Sequence, residues 1–303
     1  ATVTFNDAVI IDGAVIIDTD DTTQDGNIVF TTSIEGKGDG GTESLSIEGG
    51  SGTITLTAIG ATTTVGNLSI NTQNTGTANL AIQNIGSGTI NAETVVGAAT
   101  VNIGNTNSGT IDFEGTIYKT SGTFTVTAAA GNTTDKEIQF SGASPFISTA
   151  AANVTLAGGE IILENGTLTI DSNTNDATNG GDITIEKKVY GTSDELLVLD
   201  AHATGTGTIA LGPVGQASGT THTSEIAGLT ATAGGGITLN GNIKLSHAPI
   251  STGVKFNSPV IIGDDTSVTI TTDSGGSTDG VVNFGSSISG CLLYTSPSPR
   301  DTR

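Results

Sequence analysis

Three stretches of this chain align nearly end to end, and that repetition constrains the fold more than any local motif. Ala14-Val-Ile-Ile-Asp18 leads through an acidic turn into Gly26-Asn-Ile-Val-Phe-Thr-Thr-Ser-Ile-Glu-Gly36. Thr167-Leu-Thr-Ile-Asp171 leads into Gly181-Asp-Ile-Thr-Ile-Glu-Lys-Lys-Val-Tyr-Gly191, and Ser267-Val-Thr-Ile-Thr271 into Gly280-Val-Val-Asn-Phe-Gly-Ser-Ser-Ile-Ser-Gly290. Each copy reads as strand, polar turn, strand, short corner, apolar residue, glycine. The first two copies also share a continuation, Glu43-Ser-Leu-Ser-Ile-Glu48 and Glu195-Leu-Leu-Val-Leu-Asp200. The copies start at 14, 167 and 267, spacings of 153 and 100 residues, which argues against a string of equal globular modules. A solenoid tolerates such irregularity, because each coil touches only its neighbours and loops vary in length without disturbing the stack.

Strand signals run through the rest of the chain. Gly52-Thr-Ile-Thr-Leu-Thr57, Asn67-Leu-Ser-Ile-Asn71, Thr123-Phe-Thr-Val-Thr127 and Asn153-Val-Thr-Leu156 alternate apolar and polar residues with period 2 between Gly, Asn, Asp and Ser turns. No segment keeps apolar residues at i, i+3, i+4 and i+7 over three turns, and the density of Thr and Gly penalises helix, so helix is expected to be nearly absent. Within a copy the strands recur every 10 to 14 residues or so, which predicts coils of two or three strands and roughly 20 to 30 residues. At about 4.8 Å per coil, residues 1–290 then make a rod of roughly 10 to 14 coils, on the order of 50–70 Å long. Ile28, Phe30, Leu45, Ile47, Ile54, Leu56, Ile183 and Ile185 are predicted to point inward, with Thr and Asn forming ladders on the outer positions and corners.

Composition narrows the partners. Thirty acidic residues face nine basic ones, for a net charge of −21, and both arginines, Arg300 and Arg303, lie in the last 13 residues. Nucleic acid needs clustered cations, as does docking on anionic lipid, so neither is expected as a partner. No apolar run approaches the 18 residues of a membrane span, so no membrane insertion by this segment is expected. Residues 1–290 hold no Cys, which leaves no disulfide staple and no thiolate metal site there. The chain has no Met, and Thr2-Val3-Thr4-Phe5 is already strand-like, so it reads as an internal stretch of a longer protein. Cys291-Leu-Leu-Tyr-Thr-Ser-Pro-Ser-Pro-Arg300-Asp301 breaks the composition and resembles the conceptual translation of a sequencing adapter. Residues 291–303 are therefore read as a non-native tail, set apart from the repeat region 1–290.

The pattern Gly-x-Ile-x-Phe-x-x-x-Ile-x-Gly at 26–36, followed by Leu-x-Ile-x-x-Gly-x-Gly-x-Ile-x-Leu at 45–56, resembles the repeat arrays of large bacterial surface proteins of the filamentous haemagglutinin and autotransporter-passenger type. The resemblance extends over 1–290. It implies an all-β, right-handed parallel β-helix, export to the cell surface or beyond, and a role in adhesion or biofilm contact. Its partners would be glycans or proteins of host or neighbouring cells, the surrounding matrix, and neighbouring repeats of the same chain.

Candidate chemistry is sparse, and no enzyme is expected. Gly36-Lys-Gly-Asp-Gly-Gly41 satisfies G-x-G-x-x-G, but a strand rather than a helix follows it, so a loop is predicted rather than a nucleotide site. His202, His222 and His247 lack metal-ligand spacing. The acidic turns Asp18, Asp20, Asp21 and Asp25, and Asp264 with Asp265, hold oxygen ligands of the kind Ca²⁺ takes, yet no EF-hand or calcium-binding nonapeptide is present. The prevailing expectation for them is solvated turns, with Ca²⁺ as the only candidate cofactor. The sequons at Asn67, Asn132, Asn153 and Asn165 fall to chance in a chain this rich in Asn and Thr. Two functional alternatives stand beside the adhesive rod: a fragment of a β-helical carbohydrate-active enzyme, and an array of calcium-binding β-sandwich modules.

Overall fold

The computed structural model describes residues 1–21, 24–38, 42–73, 76–88, 97–130, 136–173, 179–192, 194–215, 226–245, 253–264, 266–272 and 280–290. The adapter-like tail, His222, His247, Asn132 and Asp265 lie outside the described residues, and Gly36-Gly41 is described only as far as Gly38. Thirty short strands and no helix make up the ordered elements among them. All pair in parallel, as a β-solenoid.

One turn of the chain shows why. Thr2–Phe5 forms a first face, Val9–Ile11 a second and Val15–Asp18 a third, after which Asn27–Phe30 returns to the first face and pairs with Thr2–Phe5. Each strand is only three or four residues long here, because Gly and Asp turns interrupt the period-2 pattern, and each interruption becomes a corner. Val3, Ile28, Ile54, Leu80, Ile111, Ile138, Ile161, Val189, Val214, Ile243 and Ile270 follow one another in register up the first face, one to a coil. The first eight belong to one hydrogen-bonded sheet, and two isolated bridges, Val189 to Val214 and Val214 to Ile243, carry the column onward. The second face runs likewise from Val9 through Ile34, Ile59, Ile85 and Tyr118 to Phe256 and Phe284. The third runs from Val15 through Leu45, Leu68, Val101 and Phe124 to Val260 and Ile288. One coil takes from 23 residues, between Ile138 and Ile161, to 33, between Leu68 and Val101.

The inward residues form one continuous core. Ile28, Phe30, Leu45, Ile47, Ile54, Leu56, Ile183 and Ile185 are each 0–1% exposed, while the Thr55 between two of them is half-buried. Like stacks on like: Phe5 lies on Phe30 with ring centroids 4.4 Å apart, and Phe113 on Phe140 at 5.0 Å. Fully burying an aliphatic or aromatic side chain of this size stabilises by about 1.5–3 kcal/mol, and aromatic pairing adds to it. With little aromatic bulk in the chain, repetition supplies what large residues supply elsewhere.

The three repeat copies do not sit above one another. The first copy begins on the third face with Val15–Asp18, the second on the second face with Thr167–Asp171, and the third on the first face with Ile270–Thr271. Each copy is thus turned by one face relative to the one before. The connections that follow these strands consequently join three different pairs of faces: third to first after Asp18, second to third after Asp171, and first to second after Thr271. A wall strand needs only apolar residues inward and polar ones outward, so the three walls are interchangeable to the repeat. The alternative of independent β-sandwich modules is corrected here: sandwiches are antiparallel, whereas every strand pairing described is parallel and each column passes through all three copies.

Candidate functional site

The acidic turn of the first coil is the densest polar cluster that the sequence marks. Asp18 ends a third-face strand and stands in register with Glu48 of the next coil. Its Oδ1 accepts the Asp20 amide at 2.8 Å, a local turn bond of the kind short acidic side chains make. Asp25 Oδ1 accepts the Asp21 amide at 3.1 Å, and Asp25 Oδ2 accepts both the amide and the hydroxyl of Ser51, at 2.6 and 2.5 Å. Gly50 is required beside it: its φ is +58°, and a Cβ there would lie 2.4 Å from the Asp25 carboxyl carbon.

Electrostatics follow from these bonds. The Ser51 hydroxyl and amide hold the Asp25 carboxyl below the usual aspartate range. Its bonds therefore stabilise the fold above the unfolded-state pKa, and that stabilisation is lost as pH falls through the lower folded-state value. Asp20 shifts the other way, through lost hydration and the negative charges of Asp25 and Asp18. An open cleft of about 340 Å³ lies alongside, lined by Ile16, Asp18, Asp20, Ser46, Glu48 and Gln73. Glu48 is buried there, and its carboxylate accepts the Thr72 amide and hydroxyl and the Gln73 amide at 3.1–3.2 Å.

The calcium candidates are not gathered into one place. Asp18, Asp20, Asp21 and Asp25 belong to the turn after the first coil, whereas Asp264 follows the strand Val260–Ile262 near the far end of the rod. There the Thr266 hydroxyl donates to the Asp264 backbone carbonyl at 3.2 Å. Among the described residues, no three His, Cys, Asp or Glu side chains converge as a metal-ligand group. His202 occupies a corner with φ +66°, donating its amide to Asp200 and accepting the Thr204 amide on Nδ1 at 3.0 Å. The G-x-G-x-x-G stretch opens a corner: the Lys37 amide donates to Glu43, and Lys37 Nζ pairs with Asp12 at 2.6 Å.

Sequence reasoning missed the buried carboxylates. Glu43 and Glu195 are 1% and 2% exposed. Glu43 accepts the Lys37 amide at 2.8 Å, and Glu195 accepts the Thr192 amide at 2.9 Å and the Thr192 hydroxyl at 3.0 Å. Both donors immediately follow the glycine that closes a strand, Gly36 and Gly191. The equivalent places of Glu43 and Glu195 in the first two repeat copies were the available signal. Elsewhere, burial and the neighbouring charges of Glu114 and Glu164 raise the Asp112 carboxyl, with the Ser141 hydroxyl opposing. Burial holds the Lys119 ammonium below the ordinary lysine range on the second face.

Two of the described sequon residues serve the ladder. Asn67 Oδ1 accepts the Thr100 hydroxyl at 2.7 Å, and Asn153 Oδ1 accepts the Asp182 amide at 2.9 Å. Among the described residues there is no helix long and apolar enough to cross a membrane. The chain matches no family model, no curated protein and no solved structure.

Proposed function

We propose that residues 1–290 are a structural and adhesive rod segment of a secreted or cell-surface bacterial repeat protein, without a catalytic centre of their own. The observation that carries this reading is how the polar side chains are spent. The carboxylates best placed for chemistry are already committed: Asp25 on Ser51 and Glu48 on Thr72 and Gln73 tie one coil to the next, and Glu195 on Thr192 fixes a corner within its own coil. A scaffold that commits its polar groups to its own backbone offers length and surface rather than a reaction site. Its partners in this reading are glycans or proteins of another cell, or the matrix, and the anionic surface turns away nucleic acid and anionic membrane.

The cleft beside Asp18, Asp20 and Glu48 favours one alternative, a fragment of a carbohydrate-active enzyme. Against it, the cleft lining includes no cation to neutralise an acidic sugar and no aromatic ring to stack on one. Ca²⁺ at the turn of Asp18, Asp20, Asp21 and Asp25 is not required by the rod.

Beads coated with the full chain, applied to epithelial monolayers and to bacterial lawns in calcium and in EDTA, test the proposal. Retention well above albumin-coated beads is expected, and equal retention in both buffers marks the adhesion as metal-independent. Retention no better than albumin on every surface, or release of reducing sugar from a polysaccharide panel, overturns it.

A further inference from the structure

We propose that the outer side of the third face is an ice-binding surface, an array of threonine side chains that takes up the water lattice of ice. The inference rests on the fold and not on the adhesive reading, so either can fail alone.

Asn102, Thr125, Thr155, Thr184, Ala210 and Thr238 follow one another up the outer side of the third face, one to a coil and without a slip of register. All are at least partly exposed. The pleat puts them there, because the residues on either side, such as Phe124 and Val126 or Val154 and Leu156, point inward and are 0% exposed. Neighbouring strands lie about 4.8 Å apart, and successive outward residues of one strand about 6.6 Å apart. Thr123, Thr125 and Thr127 on one strand, with Asn153, Thr155 and Ala157 on the next, therefore outline a regular two-dimensional net.

Three properties separate this column from the other outer surfaces. It is uncharged, in a chain of net charge −21. On the same stretch of the rod the outer column of the first face runs Asp112, Gln139, Ile162 and Tyr190, and that of the second Lys119, Ser148, Asp171 and Asp200. Its hydroxyls are also unspent: among the described residues those of Thr125, Thr155, Thr184 and Thr238 have no hydrogen-bond partner. Thr208, by contrast, donates its hydroxyl to Asp182 at 2.8 Å, and Thr100 to Asn67 at 2.7 Å. Threonine is, thirdly, β-branched and stiff at χ1, so the array loses little freedom when a ligand orders it.

Those properties choose the ligand. A neutral sugar chain is held by aromatic rings that stack on it, and none stands in the column. A protein partner needs aromatic or arginine anchors, which are equally missing there. Crystalline water needs neither. Its flat faces present rows of oxygens at spacings close to those of the net, so hydroxyls can bond at lattice positions while methyls fill the gaps between them. A charge would instead hold its own hydration shell in another arrangement. Beside the column Asp182 is already engaged by Thr208, and Glu186 lies past the end of its strand.

Partition of the full chain between slowly growing ice and the remaining liquid tests this. The parent should be enriched in the ice severalfold over albumin. Thr155→Lys sets a charge in the middle of the net, and Thr184→Tyr a ring that holds the lattice away. Each alone should bring enrichment down to the albumin level, with a parental circular dichroism spectrum and urea midpoint. Thr169→Lys is the control, because Thr169 stands singly on the second face between Phe146 and Val198. It should partition as the parent does. A parent excluded like albumin, folded third-face variants that partition like the parent, or a Thr169→Lys variant that falls as far as they do overturns the proposal. So does capture on crystalline cellulose or chitin that the third-face variants abolish while ice excludes the parent, which would assign the face to a sugar.

Discussion

At the scale of the residue, Asn153, Asp182 and Thr208 show how polar side chains become structural in a stack of coils. Asn153 Oδ1 accepts the amide of Asp182 one coil on, and Asp182 Oδ1 accepts the amide and hydroxyl of Thr208 one coil further, all at 2.8–2.9 Å. Asn27 with Thr53, Asn79 with Thr110, and Asn242 with Thr269 repeat the device on the first face. A carbonyl or carboxylate oxygen just before a strand thus fixes the register of the next coil. The inward residues do the opposite work, and their environments are unequal to those of their neighbours by design of the pleat. Phe30→Asp places a charge among Ile28, Phe5 and Ile54, with neither water nor a partner, and should cost more than about 4 kcal/mol. Thr55→Asp, on the half-buried outer row, should cost no more than about 1 kcal/mol. Urea midpoints of the two variants check this, and equal losses would mean that the faces are assigned wrongly.

At the scale of the element, the corners carry the information that strands do not. Glu195 is buried against the corner after Gly191 and holds both the amide and the hydroxyl of Thr192. Glu195→Ala strands those donors and should cost about 1–3 kcal/mol, seen as a lower urea midpoint at an unchanged slope. Glu195→Gln keeps one acceptor oxygen and should recover at least half of that loss. A neutral Glu195→Ala would show that water replaces the carboxylate at no cost. The strands themselves were legible in the sequence, because a run such as Thr123-Phe-Thr-Val-Thr127 admits one pleat and one inward set. The three-sided section was not, since a period-2 run looks the same on any wall. That is also why three similar copies begin on three different faces without a visible mark. The acidic turn was legible as a cluster, but the bonds that occupy Asp25 and Glu48 come from Ser51, Thr72 and Gln73 of the following coil. No local pattern announces a donor 24 to 26 residues away.

At the scale of the whole molecule, the protein is a one-dimensional stack, and its stability is expected to be distributed as such. A middle coil such as that of Ile111–Phe113, Ile117–Thr120 and Phe124–Thr127 is paired above and below on all three faces, whereas, among the described residues, Val9–Ile11 and Ile288–Gly290 at the two ends are paired on one side only. Stability in such a chain is approximately a sum over nearest-neighbour interfaces, so opening should begin at the ends and run inward coil by coil. Amide hydrogen exchange should therefore show a gradient. Protection should be greatest from Ile111 to Leu163 and fall towards Thr2 and towards Gly290. Val3→Asp, on an edge already open to water, should abolish protection in the first coil or two and leave the middle unchanged. Ile138→Asp, fully buried at mid-column, should remove the shared interface on both sides and lower protection in both halves. Uniform exchange through a single global opening in the parent, or a Val3→Asp variant that unfolds as a whole, would show that the coils are held by long-range cooperativity and not by the contact of each with the next.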